Sequence, residues 1–257
     1  MKRTSSAPLF AAALGILVLV MLVPVVAMLL SVPPATVATV FGRTEVRDAL
    51  RVSLEASTLA TLAATVIGVP GGYALARVRP AIRNAVMFAL AVPLAFPPIA
   101  SGVMLLHVIG TRTPLGAAMA SHGIVFVDSL IGVALAEFFV SGSFVAITAC
   151  AAFAAIPQRY LEAARTLGAP DTLIFREVAL PLAAPGVIAG VLLAWLRAAG
   201  EYGATSVVAY HPSSLPVQLY VTLSADGVLP ALAVAYGFVV LAVAIFGVQW
   251  ALRRRVV

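Results

Sequence analysis

The sequence predicts an all-α, polytopic membrane protein with six transmembrane helices and one helical loop outside the membrane. Hydrophobic residues make up 62% of the 257 residues and charged residues only 10%, whereas soluble domains average about 25% charged. Six apolar stretches approach the roughly 20 residues that a membrane-crossing helix requires. The second half has one long polar interruption, residues 155–182, with the pattern helix, turn, helix. We treat residues 1–257 as a single transmembrane domain.

The six spans are expected at residues 8–30, 53–76, 85–108, 129–152, 186–209 and 228–251. The first apolar stretch is longer than the roughly 7–15-residue core of a signal peptide, so a membrane anchor is favoured over a cleaved leader. Residues 31–52 carry charges around Val46 and Leu50, which predicts a short amphipathic helix on the outer surface that leads into the second span.

The third span contains three prolines, Pro93, Pro97 and Pro98. A proline removes a backbone donor and bends a helix. Freed carbonyl groups inside a membrane are tolerated where protein or a water-filled path satisfies them. Two interpretations remain open, a kinked helix that faces a pore and a kink that only serves packing.

Charge placement predicts the orientation of the chain. If the N-terminus lies inside the cell, eleven of the sixteen basic residues fall in cytoplasmic segments, which favours both termini in the cytoplasm of a cell whose plasma membrane the chain crosses. These eleven are Lys2, Arg3, Arg77, Arg79, Arg83, Arg159, Arg165, Arg176, Arg253, Arg254 and Arg255. The same placement accounts for the net charge of +6 without a nucleic-acid partner.

Several kinds of chemistry lack the residues they need. The only lysine is Lys2, so the chain has no candidate for the lysine of a phosphate-binding loop, and any ATP must bind to another subunit. Cys150 is the only cysteine, and the three histidines are too far apart to match a metal-ligand spacing. We therefore expect no catalytic residues, no metal and no cofactor, and an intramembrane enzyme lacks support.

The 155–182 loop has a clear local pattern. Pro157 suits the first turn of a helix over 157–167, and Gly168 suits a left-handed residue after its last turn. Asp171 is then in the position of an N-cap, and a second apolar pattern stops at Pro181. From these residues alone, the loop is either an interfacial segment without a partner or the surface on which a cytoplasmic protein docks.

The same loop resembles the EAA loop of ABC importer permeases, whose pattern is E-A-A-x3-G-x9-I-x-L-P. Here Val178 replaces the isoleucine. The matching residues are Glu162, Ala163, Ala164, Gly168, Leu180 and Pro181. The resemblance implies a type I importer fold in which the first helix of the loop docks on a separate cytoplasmic ATP-binding subunit. It also implies two permease copies, two ATPases and an extracytoplasmic substrate-binding protein.

The fifth span carries charges. Arg197 is expected about a dozen residues, or ~17 Å, into the span, with Glu201 one turn further on the same face. A charge near the midplane costs at least about 2.5–3.5 kcal/mol unless it is paired or hydrated. The two residues therefore line an anion path or form a structural ion pair that fixes packing or a gate. Glu137, in the fourth span, is expected to be protonated or paired with Arg197.

Residues 196–205 resemble a second pattern, the A-R-A-x-G-E-F-G-A-T stretch of sulfate, molybdate and tungstate permeases. This resemblance implies import of a small oxyanion. The implied pore or gate residues are Arg197, Glu201, Tyr202, Thr205, Pro97 and Pro98. Glu137 stands where that group usually has glutamine. The alternatives are a permease for another small substrate such as a phosphonate, and an ATP-independent secondary transporter with ion sites at Glu137 and Glu201.

Overall fold

The structure, a computed structural model, describes residues 7–256. All regular elements in this range are helical, which confirms the all-α prediction. The α-helices are α1 (Ala7–Ser31), α2 (Pro34–Gly42), α3 (Thr44–Leu75), α4 (Pro80–Ala95), α5 (Pro98–Ile109), α6 (Pro114–Ser121), α7 (Leu130–Ala154), α8 (Gln158–Thr166), α9 (Asp171–Leu173), α10 (Leu180–Ala199), α11 (Gly203–Val208), α12 (Leu215–Asp226) and α13 (Val228–Val256). A π-helix (Ile174–Ala179) joins α9 to α10. Lys2 and Arg3, two of the basic residues that predict the orientation, lie outside the described residues.

The predicted membrane architecture is confirmed. Five helical stretches are long and apolar enough to cross a bilayer, and α4 with α5 forms a bent pair that raises the number to six if it counts as one span. The five are Leu9–Ser31, Thr44–Leu75, Leu130–Ala154, Asp171–Ala199 and Val228–Gly247.

The core of the bundle is the parallel pair α3 and α7. Gly68 lies against Val145 and Gly72 against Ala149, which is the same offset of 77 residues at both contacts. A Cβ atom added to Gly72 would lie only 2.7 Å from that of Ala149. Glycine therefore permits the close backbone approach on which helix packing in a membrane depends.

Helix α10 packs against the same core in the opposite direction. Gly186 lies against Ala152, and Gly190 against Thr148 four residues earlier in α7. The small residues again allow a close approach. The three helices α3, α7 and α10 thus form a single packed unit that extends from the 155–182 loop to the opposite end of the bundle.

The third predicted span is broken rather than kinked. Helix α4 ends at Ala95, Phe96 and Pro97 are extended, and α5 restarts at Pro98 with its axis turned by 105°. The consecutive prolines explain the break, because each proline excludes the residue before it from the helical region. The prediction of one kinked helix over residues 85–108 was therefore wrong, because two separate helices occupy this range.

The fifth predicted span, 186–209, was displaced at both ends. Helical structure runs without interruption from Asp171 to Ala199 and breaks at Gly200. The expected stop at Pro181 is absent because a π-helix precedes it, and the wider π turn relieves the clash of the proline ring with the preceding turn. Asp171 is the first helical residue rather than the N-cap, a position that Pro170 occupies.

The segment before the second span also differs from the prediction. Residues 34–42 form α2, and α3 starts at Thr44 and continues directly into the span, nine residues before the predicted start. Val46 and Ala49 are buried against the rest of the chain. The apolar side of this segment therefore packs on protein, so its amphipathic pattern did not mark a separate surface helix.

Candidate functional site

Helix α8 is short and is closed by a well-defined cap. It spans Gln158–Thr166, with Pro157 as its N-cap, so the helix begins one residue after the predicted start at Pro157. Gly168 has φ +80°. Its N–H donates to the carbonyl of Arg165 (2.9 Å), and the N–H of Ala169 donates to that of Ala164 (3.1 Å). These two bonds form a Schellman motif, so the predicted left-handed cap is confirmed.

The two faces of α8 differ sharply. Leu161 is only 2% exposed and packs with Ile174 and Phe153, and Ala164 is half-buried against the same cluster. On the other side Glu162 and Ala163 are exposed. Just beyond the helix Leu167 is 88% exposed. Helix α8 is therefore anchored on one side by Leu161 and Ala164. On the other side Ala163, together with Leu167 just beyond the helix, leaves apolar surface exposed.

An aromatic cluster connects the base of α8 to the transmembrane helices. The ring of Tyr73, near the end of α3, lies 5.1 Å from that of Phe153 at the end of α7 and 4.7 Å from that of Phe175 in the π-helix. Arg77 stacks on the Tyr73 ring at 3.2 Å and donates to its backbone carbonyl at 2.9 Å. Edge-to-face aromatic contacts have a preferred geometry, and Leu161 of α8 packs in the same cluster.

Two further contacts hold the remaining residues of the EAA-like loop. Arg165 lies 3.7 Å from Asp171, across the turn that Gly168 makes. Leu180 is half-buried against the cluster under α8, whereas Pro181 is exposed. The second half of the loop is therefore the beginning of the fifth span.

A second candidate region lies where the two helix breaks meet. The break between α10 and α11, residues 200–202, packs on the start of α5. A Cβ atom added to Gly203 would lie 2.7 Å from that of Pro98, and one added to Gly102 would lie 2.8 Å from that of Val207. The break at Pro97 and the break at Gly200 are therefore held together by glycine contacts.

Glu201 organises the second break. Its side chain is 1% exposed, with one carboxylate oxygen 2.6 Å from Arg197 Nη1. The other oxygen accepts the N–H of Ala204 at 2.8 Å, and the Thr205 hydroxyl donates to the Glu201 carbonyl at 2.9 Å. Both carboxylate oxygens are thus occupied within the break. The expected pair of Arg197 and Glu201 is present.

The position of Arg197 requires a correction. Because the helix begins at Asp171 rather than at 186, Arg197 lies in the last turn of α10 and not a dozen residues into the span. Its side chain is 34% exposed, so part of the guanidinium faces outward from the break. The Tyr202 ring lies at the edge of this region, 5.2 Å from the Tyr220 ring, and Pro97 is exposed at the neighbouring break.

Comparison with known proteins identifies the family. Residues 68–257 match the model for the binding-protein-dependent transport system inner membrane component. The chain belongs to this family. A relative described as a probable molybdenum ABC transporter permease protein, from Haloferax volcanii, is 38% identical over 89% of this chain and 84% of its own length. The molybdate/tungstate transport system permease protein WtpB of Thermococcus kodakarensis is 32% identical over 81% and 79%.

Solved structures of ABC importers share the fold. The chain aligns with a bacterial transporter for the acidic polysaccharide alginate at a TM-score of 0.69 and 16% identity, covering 97% of this chain and 96% of the other. It aligns with the MetNI methionine transporter at 0.62 and 21%, covering 81% and 93%. As a member of this family the chain is a multi-pass membrane permease.

Asp128 was missed in the sequence. It has φ 49°, and its carboxylate accepts the backbone N–H groups of Tyr210 (2.9 Å) and His211 (3.3 Å). This contact ties the 210–216 turn of the permease to the start of α7. An aspartate just before the Ser129 N-cap has an ordinary local explanation, so the sequence contained no signal for a partner 82 residues away.

From the sequence, Glu137 was expected to be either protonated or paired with Arg197, and the pairing is absent. Arg197 binds Glu201, and no hydrogen-bond partner for either Glu137 carboxyl oxygen is found within residues 7–256. The proposed pairing of Glu137 with Arg197 is therefore not seen in the structure.

Proposed function

We propose that this chain is the permease subunit of an ATP-binding-cassette importer that moves a small oxyanion, molybdate, tungstate or sulfate, into the cytoplasm. The observation that supports this most strongly is α8, a short helix fixed by a Schellman motif that coincides with the EAA-like sequence. The relatives named for molybdate or tungstate transport cover more than three quarters of the chain at 32–38% identity. They favour an oxyanion over a phosphonate.

In this proposal α8 faces the cytoplasm, as do both termini. The exposed face of α8, with Glu162, Ala163 and the tip residue Leu167, docks in a groove on a separate ATP-binding subunit. The exposure of these side chains supports this role, because Leu161 and Ala164 already anchor the opposite face. Two permease copies form the pore, and each of them receives one ATPase.

Movement of the ATPases changes the access of the pore. Closure of the two ATPases around ATP draws the two α8 helices together, and the aromatic cluster passes this movement to α3, α7 and α10. The inward- and outward-facing states differ in their contacts with the ATPases, as any ligand-driven shift between states requires. A binding protein outside the membrane delivers the oxyanion.

The helix breaks form the gate. Glu201 supports the α10–α11 break through Ala204 and engages one nitrogen of the Arg197 guanidinium, which has further N–H donors. The exposed part of Arg197 can then offer charge-assisted hydrogen bonds to an oxyanion that passes the break. Pro97, Pro98 and Tyr202 shape the same passage, and Thr205 is kept in place by its bonds to the backbone carbonyls of Glu201 and Tyr202.

Competition for uptake tests the substrate. The permease, its ATPase and its binding protein are reconstituted in liposomes, and uptake of labelled molybdate is measured with excess tungstate, sulfate, thiosulfate or a phosphonate. We expect tungstate to abolish the uptake and the phosphonate to leave it unchanged. Uptake that only a phosphonate suppresses would overturn the oxyanion proposal while leaving the importer class intact.

A further inference from the structure

Glu137 is a buried carboxyl group for which the proposed transport mechanism has no use. It lies in α7, two turns after the start of the helix, and is 1% exposed. Both carboxyl oxygens are buried and lack a hydrogen-bond partner within the described part of the chain. The nearby Ser141 hydroxyl donates to the backbone carbonyl of Glu137 at 2.6 Å and not to its carboxyl group. A buried polar group in this state is costly and requires an explanation.

The facing helix supplies hydroxyl groups at the same level. The 77-residue offset between α3 and α7 places Glu137 opposite Ala60, between Ser57 and Thr61 on one face of α3. Ser57 is 0% exposed and Thr61 5%, and both hydroxyl groups lack a partner. The Ser57 hydroxyl faces the Glu137 carboxyl group. Unpaired oxygens on two helices therefore converge on one buried point.

The surrounding charges do not balance an ionised Glu137. Glu201, from the break before α11, is an acidic neighbour, and Arg197 of α10 already pairs with it at 2.6 Å. Arg83 of α4 lies near Cys150, thirteen residues or ~20 Å further along α7. His107 of α5 is exposed, and α3 presents hydroxyl groups at this level. Arg197 and Glu201 cancel, which leaves one negative charge unbalanced.

We propose that Glu137 and Ser57 form a buried site for one monovalent cation, either a proton held on the carboxyl group or a sodium ion bound by the carboxyl and hydroxyl oxygens. An uncompensated buried carboxylate carries a large desolvation cost, and charged residues at such depth in membrane proteins commonly mark ion sites. A group of three or more histidine, cysteine, aspartate or glutamate side chains suited to a metal is not found among the described residues. The Glu137 carboxylate carries one negative charge, so one monovalent cation balances it.

Binding can be measured without transport. The full-length protein is purified into lipid nanodiscs, and its thermal unfolding is followed as sodium chloride replaces choline chloride at constant ionic strength. In parallel, infrared spectroscopy detects the carbonyl stretch of a protonated carboxylic acid. The site goes beyond the proposed function, and these measurements need neither ATPase nor oxyanion, so a failure of one proposal is distinguishable from a failure of the other.

Three variants distinguish a bound sodium ion from a bound proton. Glu137→Gln keeps the size and hydrogen bonding of the side chain but needs no cation, Ser57→Ala removes one ligand, and Glu45→Gln, at an exposed carboxylate, is the matched control. If sodium occupies the site, the Tm of the wild type and of Glu45→Gln rises saturably with sodium, the Tm of Glu137→Gln does not, and Ser57→Ala needs several-fold more sodium.

If a proton occupies the site, sodium has no effect, and the wild type shows a carboxylic acid band that Glu137→Gln lacks and Ser57→Ala shifts. This shift keeps the test valid even if Glu137→Gln does not fold. The proposal is overturned if the wild type shows neither a sodium-dependent Tm nor a carboxylic acid band that depends on these two residues.

Discussion

At the scale of single residues, Gly168 has the most specific requirement. Its φ of +80° is one that only glycine adopts without cost, and a Cβ atom there would meet no other atom within 4 Å. Gly168→Ala should therefore act through backbone strain alone, of about 1–2 kcal/mol. We expect the cap of α8 to loosen and substrate-stimulated ATP hydrolysis by the assembled transporter to fall.

The control for this prediction is Gly71→Ala. Gly71 lies inside α3, and a Cβ atom there also meets nothing within 4 Å. Alanine is favoured over glycine in a helix by roughly 0.5–1 kcal/mol, so this variant should be neutral or slightly stabilised. Equal loss of coupling in both variants would show that the conformation of Gly168 is not what matters.

Glu201 is the residue on which the second break depends. Glu201→Gln can still accept the Ala204 N–H, whereas Glu201→Ala loses that bond and also leaves Arg197 unpaired. We expect Glu201→Ala to lower the unfolding free energy by about 1–3 kcal/mol and Glu201→Gln to lower it by less. A thermal double-mutant cycle with Arg197→Ala measures their coupling. Strictly additive losses would contradict a direct pair.

At the scale of elements, α8 offers a comparison of two leucines. Leu161 is 2% exposed and Leu167 88% exposed. Leu161→Ala should cost about 2–5 kcal/mol through the cavity it leaves. Leu167→Ala should leave thermal unfolding unchanged but weaken binding of the ATPase to the permease in a pull-down titration. If Leu167→Ala binds the ATPase as well as the wild type does, the exposed tip of α8 is not part of the docking surface.

Features of α8 that depend on neighbouring residues were predicted correctly. Features elsewhere that depend on contacts between distant segments were not. The proline start and the Gly168 cap depend on a few neighbouring residues, so the sequence showed them directly. Pro181 has a local tendency to end a helix, but the π-helix before it contains Ile174 and Ala179, which are buried in a cluster with residues of α7 and α8. The meeting of Gly203 with Pro98 likewise depends on two segments about a hundred residues apart.

The candidate gate was predicted in part for the same reason. The spacing of Arg197 and Glu201 is local, so their pairing followed from helical geometry. The depth of Arg197 depended on where the helix begins, and that start was misplaced by the π-helix. Glu137 could be singled out as a charge in an apolar run, but its neighbours on α3 became visible only through the 77-residue offset between the two helices.

At the scale of the whole molecule, a helix that packs little on the rest of the chain lies beside the first break. Helix α4 has no buried residue within the chain, which suits a helix that faces the pore or the second copy. A cysteine at the exposed Ala95, in a background where the buried Cys150 is serine, should react with a water-soluble thiol reagent at rates that differ between the nucleotide-free and ATP-bound transporter. A rate independent of nucleotide would contradict a pore position for this break.

In the proposed function, ATP hydrolysis by another subunit, acting through α8, drives transport by this chain. The most direct measurement is uptake of labelled molybdate into proteoliposomes that contain the permease and its ATPase, with loaded binding protein outside and ATP either present or absent inside. We predict uptake that requires both ATP and the binding protein, and that persists when ionophores collapse the proton and sodium gradients. Uptake without ATP that stops when those gradients collapse would contradict the account and indicate a secondary transporter.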